Sequence, residues 1–383
     1  MTVTQEHNWM NRSTLIAALF ILGFVLATAP ISAGATKGTT LTPQLLARVN
    51  GSSTVYVVST SANFESDNPA ACNYQACFHL RRTIDNGAHF TMVHLPSITF
   101  TNGSLLGNLS QVIFATAEDG YILLGSPVVM LKVTLDGAKT WRSDTIAPGA
   151  SILDFTATHN ELYAVIAHCP KNGACTNYRL ARSPLTAHAW TFTALAKWPS
   201  GMGVGMGAYG YNVWLTQQTR TTAVVFTSHN QGQTFTRSSA PMLGSVYACS
   251  ITATSPTALW AQCPTGMAVS FFYSGDCGVN WNELPVRQFA GTGGGAFDPV
   301  SSTVAYLAYG LGDSPGSKNL YRVTNDGRTM TAVGKLACNI VNGLVLTNTM
   351  HGLAACDRSN TQATTVLLQT SDGGATWSKV SPN

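Results

Sequence analysis

Six acidic or amide side chains recur in one frame along this chain, and they are the first residues that could do chemistry. Asp85, Asp136, Asn230, Asp276, Asp326 and Asp372 are centred in an eight-residue pattern, Ser/Thr-x-Asp-x-Gly-x-Thr-Trp, complete at Thr370–Trp377 and shortened around Asp326. A seventh copy, Ser183 to Trp190, keeps the frame but has lost the Asp and the Gly. Carboxylates can serve as acids, nucleophiles or metal ligands, provided that they converge on one point. These recur at intervals of 51, 49, 45, 46, 50 and 46 residues, counting position 185 for the degenerate copy. A residue that appears once per repeat is dispersed around a structure rather than gathered in a site. Asp can instead accept hydrogen bonds from backbone N–H groups of its own turn, while Gly supplies a positive φ. The closing Trp141, Trp190, Trp281 and Trp377 each bring a large apolar surface to bury. The repeated acids are therefore read as turn-formers, not as a catalytic set.

Carboxylates outside the pattern are Asp119, Asp154, Asp298 and Asp313, among others. Hydrolysis of a glycosidic bond uses two carboxyl groups facing each other across a cleft. Asp154 falls in a predicted innermost strand near the ring axis, which makes it the catalytic candidate. The competing reading is a hydrogen-bonded polar residue lining a wet channel.

The elements that must position these groups follow from the period. Repeats of roughly 40–50 residues built from short strands are the signature of propeller blades. In the fifth repeat the strands are Val246–Ala253, Thr257–Gln262, Ala268–Ser274 and the segment after Trp281. In the seventh they are Asn339–Leu346, Gly352–Cys356, Thr364–Thr370 and Trp377–Val380. Each is rich in Val, Leu, Thr and aromatics and bounded by Gly, Asn, Ser or Pro. The expected fold is all-β, a seven-bladed β-propeller of four-stranded antiparallel blades. Blades are expected at 41–96, 108–147, 151–196, 203–241, 246–286, 292–334 and 338–381, in one domain spanning 36–383.

Residues 41–383 thus resemble the Asp-box (BNR) repeat propellers, a superfamily of sialidases, sortilin-type receptors, xyloglucan-cleaving glycosidases and photosystem II assembly-factor-like proteins. In that family the box forms the turn between the third and fourth strands of a blade. Its sialidases grip substrate with three arginines, the first in an Arg-Ile-Pro motif, beside a Tyr–Glu nucleophile pair. Here the nearest early arginines read Arg48-Val49-Asn50 and Arg81-Arg82-Thr83, so sialidase chemistry is not expected.

Nine cysteines suit an oxidising compartment. Cys249 opens a first strand and Cys263 ends the second of the same blade, and Cys338 and Cys356 occupy those places two blades on. The start of one strand lies beside the end of its antiparallel neighbour, so both couples can bridge. Cys169 pairs with Cys175, and Cys72 with Cys77, across second-to-third-strand loops. All four bridges then fall on one face of the ring, opposite the repeated turns. Cys277 is left as a free thiol inside a turn.

That stapled face also carries long loops, where binding residues concentrate. Candidate contacts there are Glu65, Asp67, Tyr74, Arg179, Trp198, Asp313, Asp357 and Arg358. Residues 198–214 alternate aromatics with Gly, which reads either as a platform with Trp198 and Tyr209 or as steric crowding in an innermost strand. Only 10% of residues are charged and the net charge is +4, with no Lys/Arg run, which excludes an electrostatic nucleic-acid binder. No Cys/His spacing resembles a zinc site, and no metal or cofactor is expected. Arg12, the uncharged stretch Ser13 to Ala29 and Ala33-Gly34-Ala35 form a secretory signal over 1–35, with an uncleaved membrane anchor as the alternative. The expected protein is a monomeric, secreted or membrane-tethered propeller that recognises an extracytoplasmic protein, peptide or glycan. The alternative is a glycoside hydrolase of the same superfamily.

Overall fold

The computed structural model describes residues 41–49, 51–61, 78–95, 109–125, 128–170, 174–195, 198, 203–218, 223–238, 248–264, 269–285, 295–309, 318–358 and 365–382. They form seven four-stranded antiparallel blades, and no helix occurs among them. Blade 1 holds β1 (Leu41–Arg48), β2 (Val55–Ser61), β3 (Phe78–Thr83) and β4 (Thr91–Val93). Blade 2 holds β5 (Leu109–Phe114), β6 (Asp119–Gly125), β7 (Val128–Leu135) and β8 (Arg142–Asp144). Blade 3 holds β9 (Ser151–Ala157), β10 (Glu161–His168), β11 (Thr176–Pro184) and β12 (Thr191–Ala194). Blade 4 holds β13 (Val204–Tyr209), β14 (Asn212–Gln218), β15 (Ala223–Ser228) and β16 (Thr236–Ser238). Blade 5 holds β17 (Ser250–Ala253), β18 (Leu259–Pro264), β19 (Val269–Ser274) and β20 (Asn282–Glu283). Blade 6 holds β21 (Ala296–Pro299), β22 (Ala305–Tyr309), β23 (Lys318–Thr324) and β24 (Thr329–Leu336). Blade 7 holds β25 (Ile340–Leu346), β26 (Gly352–Asp357), β27 (Thr365–Thr370) and β28 (Ser378–Val380).

Hydrophobic pattern explains the order of strands within a blade. Second strands such as Leu162–Ala167 and Gly352–Asp357 are buried on both faces, because each blade is covered by a neighbour on either side. Fourth strands are mostly exposed and, apart from the eight-residue β24, only two to four residues long, as at Thr91–Val93 and Ser378–Val380, which limits their use as pairing edges. The core is accordingly not one body. Seven separate apolar clusters form, one at each junction between adjacent blades.

A second repeat accompanies the turns, and sequence reading missed it. The second strands of blades 1 to 6 carry Tyr56, Tyr121, Tyr163, Trp214, Trp260 and Tyr306, all buried. Each donates a hydrogen bond to a backbone carbonyl of the next blade. The acceptors are Ala117 (2.8 Å), Leu185 (3.3 Å), Gly210 (3.3 Å), Cys277 (2.8 Å), Ser301 (3.1 Å) and Thr349 (2.9 Å). An aromatic hydroxyl or indole N–H keeps its polar end satisfied while the ring fills the junction. Blade 7 has Leu353 at this place, with no such donor.

Blades 1 and 7 are each built from four consecutive strands, so no strand is exchanged between the described chain ends. Side chains close the ring instead. Val55, Val57, Val345, Leu353 and Leu367 form the apolar seam. The Gln369 amide donates to the Asn86 carbonyl (2.8 Å), and the Thr347 hydroxyl to the Asn86 side chain (2.6 Å). Arg48 reaches further, to Asp298 (3.2 Å) and the Pro299 carbonyl (2.9 Å) of blade 6 and to the Leu346 carbonyl of blade 7.

The alternating glycines of β13 have a steric cause. A Cβ at Gly205 would run into the Cys249 carbonyl, and one at Gly207 would lie 2.6 Å from the Ile251 side chain. The innermost strands of blades 4 and 5 approach too closely for side chains there, which favours the crowding reading over a platform.

Candidate binding site

The repeated carboxylates are consumed by their own turns. In five copies the leading hydroxyl (Thr83, Thr134, Ser228, Ser274 or Thr370) donates to the Asp or Asn side chain at 2.8–2.9 Å. The same hydroxyl accepts the N–H four residues on, at 2.8–2.9 Å. The carboxylate or amide oxygen then accepts the backbone N–H of His89, Thr140, Thr234, Asn280 or Thr376. These bonds favour the charged form. Backbone and ring donation by His89 holds Asp85 at about 2, and hydroxyl and backbone donation holds Asp136 and Asp372 at about 2. Burial pushes Asp276 up, but donation by Asn280 and Ser274 outweighs it and leaves the group low. Such groups have no proton to give at neutral pH.

Two details of the turns differ from the sequence reading. Two successive residues, not one, are left-handed, as at Cys277 and Gly278 (φ +63° and +84°) or Gln231 and Gly232 (φ +63° and +79°). Asp326 is not the turn acceptor of blade 6. It precedes Gly327 in the left-handed place that Asn86, Gln231 and Cys277 hold elsewhere, so Asn325 is the residue in register with Asp85. A shortened copy offers two acidic-or-amide neighbours, and only the backbone distinguishes them.

Asp154 lies in β9, an innermost strand. Its carboxyl accepts the N–H of Phe155 (2.8 Å) and that of Met206 in blade 4 (2.7 Å). Burial raises it to about 7, against the pull of those two donors. Asp298 in β21 repeats the device, accepting the Leu346 N–H of blade 7 (2.6 Å) beside Arg48. Burial raises it to about 6, with the Arg48 charge opposing. Both carboxyls are bonded to the backbone of the next blade. Asp119 accepts the Thr116 hydroxyl (2.7 Å) and caps a hairpin.

Three disulfides lie at the end of the blades where first strands begin and second strands finish. They are Cys169–Cys175, Cys249–Cys263 and Cys338–Cys356, closing separations of 6, 14 and 18 residues. Cys72 and Cys77, with Glu65, Asp67, Tyr74 and Asp313, lie outside the described residues. Cys277 is free, and burial with the Asp276 charge pushes its thiol up, away from the reactive thiolate.

On that same face, beside Cys169–Cys175, blade 3 opens a cleft of about 640 Å³. β11 starts there and supplies Thr176, Asn177, Tyr178 and Arg179, while β10 ends there with His168. The link from blade 2 contributes Pro148, Gly149 and Ala150. Beyond β12 the chain turns back, with Leu195 N–H donating to the Tyr178 carbonyl (3.0 Å) and Trp198 N–H to the Leu195 carbonyl (2.9 Å). The Trp198 ring thereby packs 5.3 Å from Phe226 and 6.3 Å from Tyr178. The Arg179 guanidinium lies over Phe192, 4.9 Å from the ring centre, at cation–π distance. No Asp or Glu lines the cleft among the described residues. Its exposed side chains are polar donors and one cation, Arg179, while the Tyr178 ring is buried in the junction with blade 4 and Trp198 packs against it.

Of the expected contacts, the structure brings Arg179 and Trp198 together here. Tyr209 stands at the far end of β13, on the face of the repeated turns. Asp357 ends β26 and is only 4% exposed, so it offers no contact surface. The next residue, Arg358, accepts the Asn339 side-chain amide through its carbonyl (2.8 Å). Tyr178, His168 and Asn177 were not singled out from sequence. Their signal is adjacency to the Cys169–Cys175 staple.

Fold and site together define a seven-bladed β-propeller with a disulfide-stapled face. No protein-family model and no curated protein matches the chain. Among solved structures it is similar to the β-propeller domain of the Trilobed protease from Pyrococcus furiosus, which has an open velcro topology. That match has a TM-score of 0.55 and 9% identity over 91% of this chain and 97% of that one. It is also similar to a puromycin-hydrolysing peptidase from Mycobacterium tuberculosis (TM-score 0.51, 12% identity, 90% of this chain), of which it spans about half, 53%. YCF48 bound to a D1 peptide aligns at TM-score 0.48 and 15% identity, over 72% of this chain and 81% of that one. At these identities the likeness is one of fold.

Proposed function

We propose that this chain is a non-catalytic recognition propeller of the Asp-box type. It is secreted or tethered outside the cytoplasm, and binds an extracytoplasmic protein, peptide or glycan through its disulfide-stapled face. The observation that carries this reading is the blade 3 cleft, which lies beside a disulfide and is lined by Arg179, His168, Thr176 and Asn177 with no carboxylate among the described residues. Pinned loops lose little entropy on binding. Carboxyls that could support hydrolysis, Asp154 and Asp298, are held by backbone donors of neighbouring blades. The three disulfides suit an oxidising compartment, and no described helix is long and apolar enough to cross a membrane.

The test is mass-spectrometric product analysis after incubating the purified chain with a broad oligosaccharide panel, sialylated and β-glucan members included. Unaltered substrates, with some retained on the immobilised protein, agree with recognition. Cleavage of any member overturns it in favour of the glycoside hydrolase alternative.

A further inference from the structure

We propose that β24, the outer strand of blade 6, is a docking edge for an extended peptide segment that carries acidic residues at its two ends. The edge lies apart from the blade 3 cleft, so the inference goes beyond the recognition reading above and stands without it. β24 runs for eight residues, Thr329–Leu336, whereas the fourth strands of the other blades run for two to four. In an antiparallel pair, alternate residues turn their N–H and C=O groups away from the neighbouring strand. Between Thr329 and Lys335, the backbone groups that face away from β23 meet no hydrogen-bond partner among the described residues. Val333 is the extra residue of a bulge, since Leu320 pairs with Gly334 and Tyr321 with Ala332. The open ladder is therefore Thr329–Ala332, continued past the bulge by Gly334 and Lys335. Thr329, Thr331, Ala332 and Lys335 are exposed, and no Pro interrupts the strand. Such an edge is completed by another extended chain, because a polypeptide repeats its donors and acceptors at the same spacing.

Charge decides which chain. Arg328, one residue before the strand, and Lys335, near its end, are exposed and enter no ion pair among the described residues. Burial and then the Asp326 carboxylate raise the Tyr273 hydroxyl of blade 5, so that acid is turned toward blade 5 rather than along the edge. Two cations at the ends work against a second copy of the strand. Antiparallel pairing centred on Ala332 would set Lys335 of one copy beside Thr329 and Arg328 of the other, and parallel pairing in register would set lysine against lysine. The same two charges attract carboxylates at the ends of an added segment. Between them β24 reads Thr-Met-Thr-Ala-Val-Gly, which calls for an uncharged middle of β-branched residues in that segment.

The experiment is titration calorimetry of the full chain with three peptides, joined to hydrogen exchange of the amides of 329–336. The peptides are acetyl-Glu-Glu-Thr-Val-Thr-Val-Glu-Glu-amide, its counterpart with Lys in place of Glu, and the acidic form N-methylated through its core. The double variant Arg328→Glu, Lys335→Glu is compared with Lys379→Glu, an exposed lysine on the short β28, and thermal unfolding confirms that each variant folds. The expected result is that the acidic peptide binds and slows exchange along β24, while the Lys-ended and N-methylated forms do not. The double variant binds the acidic peptide about tenfold more weakly, as loss of two exposed ion pairs predicts, and takes the Lys-ended peptide instead. Lys379→Glu binds like the parent. No binding, binding without protection of β24, or equal binding of the acidic peptide and either control overturns the inference. Concentration-dependent dimerisation of the chain alone that protects β24 also overturns it. The recognition reading is untouched by these outcomes, since it fails on cleavage of an oligosaccharide.

Discussion

Replacing Arg48 with Met tests how the ring is held shut. The stem length is kept, while the charge and the donors are removed. Arg48 and Asp298 side chains are 14% and 11% exposed, and the pair joins blade 1 to blade 6 across the innermost strand of blade 7. Removing one partner of a buried pair leaves an uncompensated charge, at about 3–5 kcal/mol. The carboxyl already sits at about 6 instead of 3.8, because burial raises it and Arg48 only partly opposes. A raised carboxyl binds its proton more tightly folded than unfolded. Its contribution is therefore fully present below pH 4 and is lost as pH rises through 6, about 3 kcal/mol in all. Without Arg48 the carboxyl moves higher still, so the loss grows and extends toward neutral pH. Urea unfolding followed by tryptophan fluorescence at pH 5 and pH 8 reads the difference. We expect Arg48→Met to be less stable by about 3–5 kcal/mol at pH 8 and by markedly less at pH 5, where Asp298 is protonated in both proteins. A cost that is the same at both pH values, or below about 1 kcal/mol at pH 8, would refute the role given to this pair.

Other expectations concern the remaining junctions. Tyr306→Phe removes only the hydroxyl given to the Thr349 carbonyl, and we expect about 1 kcal/mol of destabilisation in urea melts. A shift in m-value instead of midpoint would point to the unfolded state. Gly205→Ala puts a methyl into the Cys249 carbonyl and should cost about 1–3 kcal/mol, whereas Gly149→Ala, in open space, should cost less. Because Gly149 has φ +71°, its cost is strain alone, and the two variants compared in one thermal scan separate crowding from backbone effects. Replacing Cys249 and Cys263 together by Ser releases a loop of 14 residues and should cost about 3 kcal/mol. If the parent protein melts identically with and without reductant, while mass mapping confirms that the bridge opens, that estimate fails.

Much of the fold was legible in the chain because a propeller is assembled from local units. The eight-residue turn recurs at nearly constant spacing, and its residue types encode its own hydrogen bonds, so Thr83, Asp85 and Gly87 bond within one short segment. Strand ends in the seventh blade fell within a residue of expectation for the same reason: Gly and Asn bound short apolar runs. The disulfide partners were legible because antiparallel order within one blade decides which cysteines meet. The buried aromatic repeat was legible only in retrospect. Tyr56, Tyr121 and Tyr163 look like ordinary strand residues until each is seen donating to the following blade.

What local sequence determined, then, was the repeating unit: its turns, its strand order, its staples and the number of blades. Tertiary structure alone decided what lies between units. The Arg48–Asp298 pair joins residues 250 apart, and no periodicity foretells which charged groups the closing ring brings together. The same holds for the cleft, where the blade 2 link, the start of β11 and the returning Trp198 meet over blade 3. It also holds for Asp357 and Tyr209, one buried and one carried to the opposite face. Contacts within a blade follow from hydrogen bonding along nearby chain, whereas contacts between blades depend on how seven twisted sheets pack around an axis.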